Sequence, residues 1–316
     1  MVVAKTDMAS QGHKKKSMKK DPSFRKKKPL EYFPVQRKIA LSNASASGAT
    51  VAQFDTGRLL SQVNHRLYRY GKRYTQKIDV DPSGIPAGTT VDVWALMDTW
   101  FVQKAFEEAA TVFHRAYTDE RENLSKEARA RWFDFRVRSG ITADALSAVV
   151  DANPTTGATA LITAGEFVDS KVEDAAGATR TFSWAGATTA TTYSLIGEYD
   201  LAGNTNSSPT TTTGAGPYDD LEADASAVEM NALQTDGNLP PYDNNALPSV
   251  WMKVATLTVG AAGNQKISTG YFDAPCGLTC LTVGGGAQVY DLRNSIHLTV
   301  QSGDYKGVKA HNMERM

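Results

Sequence analysis

The sequence of 316 residues predicts a mainly β protein, an antiparallel β-sandwich with one or two helices inserted between its strands. Short segments of alternating apolar and polar residues recur from residue 73 to residue 303, and Gly, Pro, Asn and Ser separate them. The N-terminal segment differs, because it is rich in Lys and Arg and has too few apolar residues to form a core. With about eight strands in the rest of the chain, a jelly roll is the favoured form of the sandwich.

Residues 1–50 are predicted to be a basic arm and a linker that are disordered when the protein is alone. Residues 1–38 hold 12 basic and three acidic residues, a net charge of +9, so the remaining residues carry −9 because the whole chain is neutral. Charges of one sign at this density repel one another, and the arm cannot bury enough apolar surface to offset its chain entropy. Residues 39–53 are mostly small and polar, which is typical of a linker.

The positive charge continues into the first predicted element of the globular body. Residues 54–81 end in a predicted strand at about residues 73–80, where the running net charge reaches +13. Tyr68, Tyr70 and Tyr74 are interspersed among the basic residues of this stretch. Rings that stack on bases, beside cations that meet phosphates, suit single-stranded nucleic acid. Tyrosines are also common in strands and cations on solvated faces, so both interpretations stay open.

An amphipathic helix is predicted after the next strand. A turn rich in Pro and Gly follows Asp81, residues 90–98 form the predicted strand, and the helix extends from Trp100 to Tyr117. The face predicted to pack on the sheet carries Val102, Phe106, Ala109, Ala110, Phe113, Ala116 and Tyr117. The face predicted to meet solvent carries Gln103, Lys104, Glu107, Glu108, Thr111 and Arg115. A short polar helix near residues 124–130 and a strand over residues 131–140 are predicted to follow.

Residues from about 139 to 217 are rich in Ala, Thr, Gly and Ser and are predicted to form a low-complexity surface-loop region. Three short β-like runs occur within it, at residues 158–168, 179–186 and 191–201. Residues 204–217 have no periodicity and are predicted to be an exposed loop on the outer surface. The small side chains of this region bury little surface, so we expect it to contribute little to a core.

The C-terminal part of the chain is predicted to be β, after an acidic segment at residues 217–234 that is interpreted as a short helix. Four runs have the alternation or the continuous apolar character of strands: residues 249–260, 266–275, 277–285 and 295–303. The predicted domains are therefore the arm and linker of residues 1–50 and one jelly-roll domain of residues 51–316.

The sequence contains no motif for catalysis, for a cofactor or for a metal, which favours a protein that is not an enzyme. A Gly-rich phosphate loop, a G-x-S-x-G elbow, an H-E-x-x-H motif and paired C-x-x-C motifs do not occur. Cys276 and Cys280 are too few for a disulfide framework and are predicted to be reduced and structural. The longest apolar runs are far too short for a membrane span, so no membrane insertion is expected.

The organisation of the chain resembles that of a viral coat protein. The segments that carry the resemblance are KKKSMKKDPSFRKKK at residues 14–28, LLSQVNHRLYRYGKRYTQKIDV at residues 59–80 and YFDAPCGLTCLTV at residues 271–283. More narrowly, the chain resembles the capsid proteins of small circular single-stranded DNA viruses that encode a replication-initiator protein. Icosahedral RNA viruses share this organisation, so a DNA genome is favoured and an RNA genome stays open.

The resemblance implies a single jelly roll that assembles with copies of itself into a closed icosahedral shell, with the arm facing inward on the genome and loops facing outward. In the smallest icosahedron (T=1), about 60 copies would bring on the order of 500–800 positive charges to the genome. The expected locations are the virion and the host nucleus, with host nuclear import machinery as a further partner of the arm. Nucleic-acid contact is assigned to Lys14, Lys15, Lys16, Lys19, Lys20, Arg25, Lys26, Lys27, Lys28, Arg37, Lys38, Arg66, Arg69, Lys72 and Arg73.

Two other classes of protein fit parts of the sequence. A cellular nucleic-acid-binding protein with a β-sandwich domain would explain the arm, and it would bind as a monomer or small oligomer. A β-rich adhesion or glycan-binding module would explain the Thr/Ser-rich loops but not the arm. Formation of particles distinguishes the coat protein from both alternatives.

Overall fold

The computed structural model describes residues 34–43, 48–83, 85–122, 125, 132–153, 158–162, 167–174, 176–203, 250–260, 266–292 and 294–313. This part of the protein is mainly β, with a curled mixed sheet of 12 strands, a separate three-stranded sheet and few helices. The prediction of a mainly β protein is confirmed.

The strands and helices are short, apart from one long helix. The strands are β1 (Lys38–Asn43), β2 (Val51–Asp55), β3 (Lys72–Val80), β4 (Thr90–Leu96), β5 (Asp144–Asn153), β6 (Ala158–Leu161), β7 (Lys171–Glu173), β8 (Thr179–Ser183), β9 (Thr192–Ser194), β10 (Trp251–Thr258), β11 (Ile267–Ser268), β12 (Phe272–Ala274), β13 (Leu278–Gly284), β14 (Ile296–Val300) and β15 (Ala310–Asn312). The helices are α1 (Thr56–Asn64), α2 (Trp100–Glu122) and α3 (Leu195–Gly203). Single 3-10 turns lie at Pro275–Gly277 and Val289–Leu292.

The pairing of the strands joins the beginning of the chain to its end. Four sets of antiparallel pairs do this: β1 with β14, β2 with β13, β3 with β11 and β12, and β4 with β10. These pairs combine into two runs, β1-β14-β3-β11 and β2-β13-β4-β10. β5 bridges the two runs, because its start pairs in parallel with β2 and its next residues pair antiparallel with β1. The sheet therefore curls back on itself.

Both runs of strands contribute to a first core. Its buried side chains come from both runs and include Leu41, Phe54, Ile78, Val93, Leu281 and Leu298. They are almost all aliphatic, and they occupy alternate positions of the strands. On β13, for example, Leu281 and Val283 belong to this core, whereas Cys280 belongs to a second one. The period of two that the sequence shows thus divides β13 between two cores.

The second core packs the long helix α2 against the opposite face of β4, β10 and β13. It contains Tyr70, Leu96, Val102, Phe106, Phe135, Val137, Phe182, Trp184, Leu195, Ile196, Trp251, Leu278 and Cys280 among its buried members. The Phe106 ring lies 6.2 Å from that of Tyr70, 5.3 Å from that of Phe135 and 6.1 Å from that of Trp184, between centroids. The prediction that Phe106 faces the core is confirmed.

The polar face of α2 was predicted correctly except at one position. Gln103 is buried, because its side-chain amide donates a hydrogen bond of 2.7 Å to Asp98 Oδ1. Helix α1 was not predicted. It begins where the Asp55 carboxylate accepts a hydrogen bond from Arg58 N, and it ends at His65, whose φ of 49° is left-handed.

Three predictions from composition are wrong. Residues 39–53, predicted to be a linker, contain nearly all of β1 and much of β2, because Ile39 and Leu41 enter the first core and the backbone pairs with β14 and β5. Residues 132–140, predicted as a strand, form only an isolated bridge, at Arg138. Residues 195–201, predicted as β, belong to α3.

The low-complexity region contributes to the second core, contrary to expectation. Phe182, Trp184, Leu195 and Ile196 are buried there, in the same cluster as Val102 and Phe106 of α2. Residues 204–217 and 217–234 lie outside the described residues, as does the predicted short helix at residues 124–130 except for Ser125. The placement of residues 204–217 on an outer surface therefore stays a prediction.

Both cysteines are buried and neither is in a disulfide. Cys276 lies in the 3-10 turn before β13, with its thiol 3.5 Å from Met313 Sδ. Burial raises the pKa of the Cys276 thiol far above its ordinary value and raises the pKa of Cys280 to about 11. Both side chains are therefore neutral thiols packed in the second core.

Candidate nucleic-acid interface

Residues 34–37, the four described residues before β1, form hydrogen bonds with two other parts of the protein. Gln36 N donates a hydrogen bond of 2.7 Å to Asn64 Oδ1 at the end of α1. Arg37 Nη1 donates one of 3.3 Å to the carbonyl oxygen of Gly307. Because Val300 N also donates to Arg37 O (2.9 Å), the segment that leads from the arm is fixed beside the loop after β14.

That loop, residues 301–309, packs against the connection between α1 and β3. Tyr68 donates its hydroxyl hydrogen to Lys306 O (3.0 Å), and Arg69 N donates to the Tyr305 hydroxyl (3.1 Å). Lys306 Nζ in turn donates to Leu67 O. These reciprocal bonds hold Lys306 among basic residues that are more than 200 positions away in the sequence.

Five cations meet here and are called the basic cluster: Arg37, Arg66, Arg69, Lys72 and Lys306. Burial and then the charges of Arg66, Arg69 and Lys72 lower the pKa of the Lys306 ammonium. Lys72 Nζ lies 4.2 Å from the centroid of the Tyr305 ring, and Lys306 Nζ lies 5.3 Å from it. Like charges held this close create a positive potential that an anion would relieve.

Asp134 compensates part of the basic cluster. Asp134 Oδ1 lies 3.6 Å from Arg69 Nη1, and Asp134 Oδ2 accepts a hydrogen bond of 2.6 Å from Tyr70 N. Burial raises the pKa of Asp134 to about 6, against the opposing effects of the hydrogen bond from Tyr70 N and of Arg136 and Arg69. Protonation of this carboxyl group would leave the basic cluster more positive.

The basic residues predicted from the sequence have different surroundings. Arg37, Arg66, Arg69 and Lys72 belong to the basic cluster. Arg73 does not, because its guanidinium pairs with Asp98 (2.8 Å) and lies 3.9 Å from Asp273. Lys38 is an exposed residue of β1. The arm residues assigned to nucleic acid, Lys14, Lys15, Lys16, Lys19, Lys20, Arg25, Lys26, Lys27 and Lys28, lie outside the described residues.

The tyrosines do not provide a stacking surface, so that interpretation is wrong. Tyr68, Tyr70 and Tyr74 are at most 1% exposed, because their rings fill the two cores. The hydroxyls of Tyr70 and Tyr74 donate to Val137 O (2.8 Å) and Arg69 O (2.6 Å). The sequence also did not identify Lys306 or the half-buried Tyr305, since nothing in a polar C-terminal loop signals that it folds back onto residues 66–72.

Comparisons with protein-family models, with curated proteins and with solved structures find no match for this chain. Within the described ranges, no helix is long and apolar enough to span a membrane. Among the same residues, no group of three or more His, Cys, Asp or Glu side chains is arranged to hold a metal ion.

Proposed function

We propose that the protein is the coat protein of a small circular single-stranded DNA virus, which assembles into an icosahedral shell and packages its genome through the Lys/Arg-rich arm. The observation that carries this proposal is the order of strand pairing. A jelly roll is one long antiparallel hairpin rolled up, so that its first strand pairs with its last, its second with the next to last, and so on inward.

Four sets of paired strands in this protein follow this rule. β1 pairs with β14, β2 with β13, β3 with β11 and β12, and β4 with β10. If β11 and β12 count as the two halves of one strand along β3, these are eight strands in two antiparallel runs of four. Both runs contribute to one core. This supports a double-sheet jelly roll, to which the remaining strands and helices are additions.

A jelly roll occurs in viral coats and also in glycan-binding proteins, so the fold alone does not distinguish these two functions. The distribution of charge along the chain favours the first. Residues 1–38 carry a net charge of +9. Arg37, at the end of this stretch, donates a hydrogen bond to Gly307 O and belongs to the basic cluster of the body. Basic residues in both the arm and the body suit a polyanion, because each cation set against a phosphate releases a condensed counterion.

The same charge supports the remaining parts of the proposal. In a shell of about 60 copies, the arms would neutralise part of a genome of a few thousand nucleotides. The arm would face the genome, and the loops at the other end of the sandwich would face solvent. Lys14–Lys28 also has the composition of a nuclear import signal, which fits assembly in the host nucleus.

Electron microscopy of the purified full-length protein in negative stain tests this proposal, together with the ratio of absorbance at 260 and 280 nm. We expect closed particles that contain nucleic acid. A monomer or small oligomer that binds nucleic acid would favour the cellular nucleic-acid-binding class instead. A protein that neither assembles nor binds nucleic acid would overturn both.

Removal of residues 1–33 tests the role of the arm. We expect this variant to keep its melting temperature and to lose most of its affinity for single-stranded DNA at physiological salt. Affinity of the intact chain should fall steeply as salt rises, and a flat response would contradict the electrostatic account. A deletion to residue 50 is unsuitable, because it removes β1 and the fully buried Leu41.

A further inference from the structure

A cleft of about 440 Å³ opens where β2 meets the start of β5. One wall is formed by the end of β2 and the first turn of α1, and the other by residues 136–146. The cleft shares no residue with the basic cluster, and its character is set by three arginines: Arg58, Arg136 and Arg138.

Arg136 is the buried member of this group, with 7% of its surface exposed. Its guanidinium lies between two rings, 5.0 Å from the centroid of Tyr70 and 4.9 Å from that of Phe167. Nη2 pairs with Asp55 Oδ2. Within the described part of the chain, Nε and Nη1 have no hydrogen-bond acceptor. A buried guanidinium is thus satisfied at one nitrogen only, which is unfavourable unless another anion comes close.

The single negative charge of Asp55 is shared between two partners. Oδ1 accepts from Arg58 N at the start of α1 (3.2 Å), and Oδ2 pairs with Arg136. Arg58 is half-buried and Arg138 is exposed, and neither forms an ion pair with any residue that the structure describes. The acid that remains in the cleft is Asp169, so three guanidiniums face two carboxylates.

The wall that carries Arg138 is held in place by its backbone. Arg138 N donates to Phe182 O and Trp184 N donates to Arg138 O, each at 2.9 Å. Gly140 follows with a φ of 74°, and a Cβ atom there would lie 2.6 Å from Ser183 Oγ. The left-handed turn and this close approach require glycine. Arg138 therefore lines the cleft from an edge whose backbone is fixed.

Guanidiniums that come from two walls of the cleft, Arg58 from α1 and Arg136 and Arg138 from the opposite segment, suit a tetrahedral oxyanion. A phosphate group presents several oxygens in different directions, and arginine forms short, charge-assisted bonds to them. We propose that this cleft binds a phosphate group, with Arg58 and Arg138 donating to its oxygens and Arg136 supplying buried positive charge behind them. The phosphate could belong to the free ion or to a nucleotide, and the experiment separates these sources. The site does not depend on assembly of a shell.

The negative charge of Asp169 repels an anion in the cleft. Removing this charge should therefore raise the affinity for phosphate, whereas removing an arginine should lower it. Asp169 is half-buried and faces Arg136, Arg138 and Arg58. Burial raises its pKa, so it loses its charge more readily than an ordinary aspartate as the pH falls. Asp169→Asn should strengthen binding, whereas loss of either arginine should weaken it. Partial unfolding of a variant cannot imitate a gain in affinity.

Isothermal titration calorimetry of the full-length protein at constant ionic strength provides the measurement. The probes are inorganic phosphate, deoxyadenosine 5′-monophosphate and, as a blank, sodium chloride. We expect saturable binding of one phosphate per chain. Arg58→Gln and Arg138→Gln should each weaken it about tenfold or more. Asp169→Asn should strengthen it several-fold. Arg115→Gln, the same change on the exposed face of α2, should have no effect.

Two results would overturn the proposal: no saturable heat with either phosphate probe, or unchanged binding in Arg58→Gln and Arg138→Gln. Binding of the nucleotide at least as tightly as the ion, with the same dependence on the arginines, would support a nucleotide ligand. Binding of inorganic phosphate alone would support the free ion. The lysines of the arm are identical in all variants, so any phosphate that they bind contributes equally to every titration. A protein that forms no particles could still give the expected titrations, so the two proposals fail separately.

Discussion

The two cores of this protein are built from different kinds of sequence. The first is contributed by two runs of strands and is filled mainly by aliphatic side chains at alternate positions. The second gathers aromatic side chains from four separated segments, represented by Tyr70, Phe106, Phe135 and Trp184. Within it, Trp184 Nε1 donates to the Tyr70 hydroxyl (3.0 Å), which donates to Val137 O.

This difference shows where local patterns specify structure and where long-range contacts do. An aliphatic strand face needs only to be apolar and of the right period. The second core also needs partners for the buried Tyr70 hydroxyl and Trp184 indole, since an unpaired polar group is costly. Substitutions in the two cores can therefore show whether they are one cooperative unit and which contacts hold them together.

The largest effect is expected from Phe106→Ala, which leaves a cavity among three aromatic rings. We expect the free energy of unfolding to fall by about 3–5 kcal/mol in chemical denaturation. Glu108→Ala, on the exposed face of the same helix, should change it by less than about 0.5 kcal/mol. Equal effects would mean that this face of α2 is not packed on the sheet.

Leu281→Ala makes the matching change in the first core and should cost about 2–5 kcal/mol. If the two cores form one unit, each variant shifts a single transition that fluorescence and circular dichroism report together. Two separate transitions, with only one shifted in each variant, would show that the cores unfold independently.

The Asp55–Arg136 ion pair joins the two regions, since Asp55 ends β2 and Arg136 contacts the Tyr70 ring of the second core. Arg136→Met leaves Asp55 buried without its partner and should cost about 3 kcal/mol. Arg73→Met, which breaks a more exposed pair with Asp98, should cost less than about 1 kcal/mol. A small effect of Arg136→Met would mean that the two regions meet mainly through apolar packing.

Asp134 should make stability depend on pH. Its pKa of about 6 in the folded protein, raised by burial, exceeds its ordinary value. Between about pH 4 and pH 6, the folded state therefore binds more protons than the unfolded state, and stability falls as the pH rises. Comparison of urea denaturation across this range should show that Asp134→Asn removes about 2 kcal/mol of this fall.

The matched control for this measurement is Asp304→Asn, which changes an exposed aspartate. It should leave the slope against pH as it is in the wild type. An unchanged slope in Asp134→Asn would show that other carboxyl groups cause the dependence.

The smallest effect concerns the thiols of the second core. Cys280→Ser should cost about 1–2 kcal/mol, because it buries a hydroxyl in place of an apolar thiol. The raised pKa of both cysteines predicts that a thiol-specific reagent at pH 8 reacts only after the protein unfolds. Rapid labelling of the folded protein would contradict their burial.

Much of the first core could be predicted from the sequence, because alternation in β3, β4, β10, β13 and β14 is a local property. The four C-terminal runs and the helix from Trp100 were located within a few residues. β1 could not be predicted, since Ala40 and Ser42 give it the composition of a linker while its partners β14 and β5 make it a strand. Lys306 was missed for the same reason, because folding alone places it beside residues 66–72.

One hydrogen bond has a consequence for how this chain can vary. Met97 N donates to Val250 O (2.9 Å), directly beyond the pair Leu96–Trp251, so the chain leaves β4 and returns in β10 at one point of the sheet. Because the entropy of closing a loop grows only slowly with its length, the connections from β4 to β5 and from β5 to β10 can lengthen or shorten with little penalty to the strands that frame them. A replacement must still cover Leu278 and Cys280 and must pair with β1 and β2 as β5 does. With these requirements met, the junction is a natural grafting point, at which the same framework can accept a different insertion.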